Sequence, residues 1–201
     1  MTKPGARMTG RFLSGALAGL AVLALSACAS FMQTAPAGAL AGDSDFPVTL
    51  QAPWTRIPAR SNRLTRGDLL TRDGLALNQV HLVSLAGGEP LLHPEVTDAP
   101  PLYRAGKGLH AQVGLVMQSL SAFGYHDLEA KAVRPVMLDG AEGLRFEIAG
   151  QFESGLKLRG LAALAETGER LHILLFIAPA GHYHERDAPE IEAMIGSVRF
   201  R

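Results

Sequence analysis

The chain has 201 residues, 19 Lys+Arg against 19 Asp+Glu, 47% hydrophobic residues and a single cysteine. A balanced charge gives no basic face to neutralise phosphates, which excludes an ordinary nucleic-acid binder. One cysteine excludes a disulfide framework.

The first 27 residues have the parts of an export signal: basic Lys3, Arg7 and Arg11, an apolar run over 12–25, and small Ser26 and Ala27. The run has 14 residues, whereas a membrane span needs about 20. Removal of 1–27 leaves 16 basic against 19 acidic groups, a formal charge of −3. From that total no polybasic patch for anionic lipid is expected. An alternative cut at the Ala-x-Ala pattern of 35–37 leaves Cys28 in the discarded piece.

Leu25-Ser26-Ala27-Cys28 resembles the lipobox of bacterial lipoproteins. The resemblance implies cleavage before Cys28, lipid on its sulfur and amine, and a periplasm-facing protein held to a membrane by that anchor. Ala29 stands where such proteins carry the aspartate that keeps them at the inner membrane, which implies the outer one. A capped thiol also suits an oxidising compartment.

Residues 28–46 are rich in Ala, Gly, Ser, Thr and Pro and are expected to be a lipidated tether. Residues 47–201 then form one α+β domain, a size that can bury one core. A short strand is expected at 48–51. Two extended runs, 63–71 and 75–85, meet through Arg72-Asp73-Gly74, and Asp-Gly is a strong hairpin signal. The Pro- and Gly-rich stretch 86–108 reads as irregular.

Over 109–123 the apolar residues Leu109, Val113, Val116, Met117, Leu120 and Phe123 have helical spacing, with Gln112, Gln118 and Ser119 on the other side and Gly124 as stop. Leu144, Phe146 and Ile148 alternate with Arg145 and Glu147 in the two-residue period of a strand. Strands at 156–164 and 171–178 follow, the second apolar enough to be central. Asp187 is expected to cap the last helix, with Glu190 closing a capping box. Short turns imply antiparallel neighbours, so the fold class is an antiparallel β-sheet flanked by helices.

The Asp73-Gly74 hairpin, the central helix, Gly143-Leu144-Arg145-Phe146-Glu147, and the block from Phe176 through Tyr183 to Gly196-Ser197-Val198-Arg199-Phe200 resemble the Mog1/PsbP-like group. Its bacterial members include DcrB-like envelope lipoproteins. The resemblance implies an α/β/α sandwich serving as a non-catalytic binding or assembly module, with an envelope protein or small ligand as partner and no cofactor.

Among polar residues, His182 and His184 in an expected loop are the candidate metal ligands, alternate histidines being able to face one ion. The competing reading is a solvated loop, since two histidines are not a complete site. His81, His93, His110 or His172 would have to add a ligand. No Gly-x-Ser-x-Gly elbow or Ser-x-x-Lys pattern marks a nucleophile. Gly106-Lys107-Gly108 lacks the spacing of a phosphate loop, and Glu142/Glu147 or Glu166/Glu169 are read as solvated pairs. Trp54 is expected in the core or under a lid. The expected function is thus an envelope-anchored binding module, with a metal protein as the alternative.

Overall fold

The computed structural model describes residues 32–41 and 46–200. Cys28 and the signal segment lie outside the described residues. Among those described, β1 (Gln33–Ala35), β4 (Trp54–Ile57), β5 (Asp68–Thr71), β6 (Gln79–Ala86), β10 (Arg170–Pro179), β9 (Lys157–Thr167), β8 (Ala141–Gln151) and β7 (His126–Leu138) form one sheet in that order. Every pairing is antiparallel. A two-stranded ribbon joins β2 (Gly38–Leu40) to β3 (Val48–Leu50).

Two helices cover the sheet, α1 (Leu109–Phe123) and α2 (His182–Gly196). The alternation of β10 shows why both faces need a cover. Leu171, Ile173, Leu175 and Ile177 pack with Val113, Val116 and Leu120 of α1. Leu174, Phe176 and Ala178 pack with Ile191, Met194 and Ile195 of α2. A fully buried Leu, Ile, Val, Phe or Met side chain of this set contributes about 1.5–3 kcal/mol over its exposed state. The result is an α/β/α sandwich, with its near-continuous apolar strand at the centre as the composition requires.

The helix α1 spans the residues its periodicity marks, and Gly124 ends it in the left-handed region at φ 105°. Its polar face differs from expectation. Gln112 and Ser119 are buried, not solvated, and Gln112 Nε2 donates to the Arg104 carbonyl at 3.1 Å and to Glu166 Oε1 at 3.0 Å.

The expected tether is partly built into the domain: β1 pairs Gln33 with Arg56, and β2 pairs Leu40 with Val48. Backbone hydrogen bonding to a free sheet edge does not require apolar side chains, and Ala35 adds a buried contact. The expected 72–74 turn is a longer connection, 72–78. Asn78 Oδ1 organises it by accepting from Thr71 Oγ1 at 2.9 Å and from the Arg72 amide at 2.9 Å. Strand β7 had no counterpart among the predicted elements. It lies at the sheet edge, carries charges on its faces, and shifts register between His126 and Glu129 and again between Lys131 and Arg134.

Helix α2 begins at His182 and not at Asp187. The His182/His184 segment is therefore the first turn of a helix, not a loop. Asp187 sits inside the helix, where its carboxylate is taken by side chains in place of the backbone amides of a cap.

Candidate functional site

The sheet has two ends. One gathers the 58–67 connection, the end of β6 and the β9–β10 turn; the other gathers the 72–78 connection, the β8–β9 turn and the start of α2. Charged residues at the second end make two arrangements.

The first is a clasp between the 72–78 connection and α2. Arg72 Nη1 donates to Asp187 Oδ1 at 2.9 Å, and its other amine grips Glu190. The guanidinium lies 4.4 Å from the Trp54 ring centroid, a cation–π contact. Trp54 Nε1 donates to Glu190 Oε1 at 2.9 Å, and the Ala52 amide donates to the same oxygen at 3.2 Å. Asp187 also accepts from Arg186 Nε at 2.7 Å and from Asn78 Nδ2 at 2.9 Å, while Arg186 pairs with Asp73.

Burial raises the Glu190 carboxyl, but the donors Trp54 and Arg72 outweigh it and hold the group below its ordinary range. The Asp73 carboxyl is lowered chiefly by Arg186, against the opposing effect of burial. These carboxylates are occupied by donors from their own chain. The clasp therefore closes the fold; it does not present a vacant charge.

The second arrangement is an open cleft of about 580 Å³ between the start of α2 and β9, with Arg159, His184, Glu185 and Glu192 on its walls and Ala188 and Pro189 between them. An adjoining hollow of about 340 Å³ continues past Arg159 to Lys157 and Gln151. Arg145 bridges Glu192 and, at 3.2 Å, Glu147. Arg159 lies 3.7 Å from the same Glu147. The cleft is of mixed charge.

The His184 ring stacks on Phe176 at 5.8 Å. Burial first, and Arg159 second, hold it below the usual histidine range, which favours the neutral ring. Its Nε2 is buried without a hydrogen-bond partner among the described residues. His182 is exposed, in edge contact with Tyr183 at 5.2 Å. Among the described residues no group of three or more His, Cys, Asp or Glu is placed to hold a metal ion.

The remaining histidines are dispersed. His110 is exposed on α1 and His93 lies in the connection after β6. His172 is buried, with Ser84 Oγ at 2.8 Å and Thr167 Oγ1 at 2.7 Å. His81 is held between Thr65 Oγ1 at 3.1 Å and Gln79 Oε1 at 3.0 Å. Burial pushes His81 down to about 4. It borders a cavity of about 10 Å³ beneath Leu120 and Phe123, room for one water at most.

Trp54 and Tyr103 share no groove. Trp54 belongs to the core on the α2 side and Tyr103 to the core on the α1 side. Tyr103 Oη donates to Glu166 at 3.2 Å, and burial with that carboxylate pushes the phenol up to about 12. Glu166 and Glu147 are thus engaged acceptors, while Glu142 and Glu169 are exposed. Gly106-Lys107-Gly108 is an exposed approach to α1. Arg72, Asp73 and Asn78 were missed by sequence reasoning; the polar cluster of Asp-Gly with a following Asn was the available signal.

No protein-family model matches the sequence, and no curated protein does. Among solved structures, the chain is similar to cyanobacterial PsbP (CyanoP) from Synechocystis sp. PCC 6803, with TM-score 0.56, 10% identity, and 86% of this chain and 94% of that chain covered. It also matches LpqN of Mycobacterium tuberculosis, described as involved in cell envelope biogenesis, at TM-score 0.44 and 12% identity over 88% of this chain and 96% of that one. The CyanoP likeness alone is close enough to carry weight, and at such identity it shows the fold. The α+β architecture read from the sequence is a PsbP-like sandwich.

Proposed function

We propose that this chain is a bacterial lipoprotein, cut before Cys28 and lipid-anchored in the envelope, at the outer membrane's periplasmic face by the lipobox rule, whose sandwich domain is a non-catalytic binding or assembly module. The observation that carries the reading is Leu25-Ser26-Ala27-Cys28, a small-residue step into the only cysteine at the end of the apolar run.

The domain supports the second half. Its strongest charge cluster is spent on holding α2 to the sheet, as Arg72, Asp187 and Glu190 show. His81, bonded to a threonine hydroxyl, has Gln79 and not a carboxylate on its other nitrogen, so it lacks the oriented base of a hydrolytic triad. The mixed-charge cleft beside α2 is the surface best suited to a polar partner, since complementary charges on a rim favour specificity and encounter.

The mature protein should carry acyl chains on Cys28 by mass spectrometry, and Cys28→Ser should leave an uncut, unacylated precursor. A mature, membrane-bound Cys28→Ser protein would contradict the anchor. Crosslinking of the lipidated chain in whole envelopes should retain a protein partner through positions beside Arg159 and Glu192. Measured turnover of a substrate with no partner retained would contradict the binding role.

A further inference from the structure

The cleft beside α2 is polarised across its width. Its sheet wall carries Lys157 and Arg159, two positions apart on β9 and therefore on one face of the sheet. Their partners on β8 are Gln151 and Ala149, neither of them charged. Lys157 is exposed and has no ion pair among the described residues, and Arg159 is half exposed with its Glu147 contact at 3.7 Å.

The helix wall has the opposite character. Glu185, in the first turn of α2, is exposed and has no ion pair among the described residues. Pro189 has no amide hydrogen to give the Glu185 carbonyl, which thereby lacks its helical donor. Both residues line the cleft. The other carboxylates nearby are engaged: Glu147 and Glu192 hold Arg145, and Asp127 accepts from Gln151 Nε2 at 2.8 Å. What is left over is a pair of cations on the sheet and an anion with an open carbonyl on the helix.

The space between the walls is elongated. Ala149, Ala180 and Ala188 line it with little side-chain bulk, and the cleft of about 580 Å³ passes Arg159 into the hollow of about 340 Å³. A compact molecule would fill one of the two, whereas an extended chain follows both. Such a chain points successive side chains in opposite directions, so one set meets the sheet wall and the other the helix wall.

Resting on the binding-module reading, we propose that the cleft holds an extended peptide segment of a partner protein in which acidic and basic residues alternate, the acidic side chains on Lys157 and Arg159 and the basic ones on Glu185. Charge pairing at exposed positions of this kind sets which sequence is accepted and how fast it arrives, more than how tightly it is held.

The test uses the full chain in detergent micelles and a fluorescein-labelled octapeptide of alternating Asp and Lys, read by anisotropy. A peptide of the same composition with its Asp and Lys in separate blocks should bind about tenfold more weakly. Lys157→Glu with Arg159→Glu should weaken the alternating peptide about tenfold, and so should Glu185→Lys. All three side chains are exposed, so their reversal leaves the core intact. The chain carrying all three reversals should recover binding, because a shift of one residue exchanges the peptide's charges between the walls. Equal binding of the two peptides, no binding of either, or a triple reversal as weak as its parts would overturn the proposal. In that event a partner still retained by crosslinking at another face would leave the binding role standing, whereas turnover of a substrate with no partner retained would remove that reading itself.

Discussion

The two helices cover opposite faces of one sheet and are held there by different forces. Helix α1 is seated by apolar contacts from Val113, Val116 and Leu120, with Gln112 as its main polar tie. Helix α2 adds to a comparable apolar face a set of ion pairs, through Asp187 and Glu190 to Arg72 and through Glu192 to Arg145. Apolar seating tolerates a choice of neighbours, since any complementary surface will do. Ion pairs at buried positions specify one partner, because an unmatched charge there is costly.

The largest effect should come from removing the cation of that clasp. Arg72→Ala leaves the fully buried Asp187 and the largely buried Glu190 short of a donor, and should cost about 3–5 kcal/mol in urea unfolding. A loss below about 1 kcal/mol, the value of an exposed pair, would show that α2 is seated like α1.

Acid should strain the α1 side next. His81 borders the cavity under Leu120 and Phe123, and its folded pKa is about 4 against an ordinary 6.5. The unfolded chain therefore binds the extra proton first, so this stability is fully present above pH 6.5 and is lost as pH falls towards 4. The loss is on the order of 3 kcal/mol from a shift of that size. His81→Gln should flatten the stability profile over that window; an unchanged profile would assign the acid sensitivity to other groups.

A smaller change tests how α1 ends. Gly124 adopts φ 105°, with its amide on Leu120 and Ser121 carbonyls. Gly124→Ala should cost about 1–2 kcal/mol, the penalty of a side chain in left-handed backbone. A neutral result by thermal denaturation would mean that the helix stop can shift without loss. The smallest effect is expected at the outer pair of α2: Glu192 is partly exposed, so Glu192→Gln should change stability by less than about 1 kcal/mol. A larger loss would extend the buried ionic seat of α2 out to the cleft.

The same contrast explains what the sequence disclosed. The bounds of α1 were legible because apolar spacing and a glycine stop are local signals. Strands β8, β9 and β10 were legible because alternation or continuous apolarity reports which faces are covered. The start of α2 was not, since Asp187 has the local form of a cap while its partner Arg72 lies 115 residues away. Strand β7 was missed because an edge strand with Glu129, Lys131 and Arg134 on it has no apolar period to detect. The seat of β1 was hidden for a similar reason, its pairing being with backbone at Trp54 to Arg56. Of the candidate sites, the histidines were individually visible, but their dispersal over the fold depends on topology alone.

The irregular edge strand has a consequence for how copies of this protein coexist. A straight 13-residue border with one free side would be a template on which a neighbouring sheet could grow. Here Ala132 at φ 47°, the register shifts around it and Pro135, which has no amide hydrogen to offer, break that template into short pieces. Neighbouring copies can therefore be packed densely without zipping this border to another sheet.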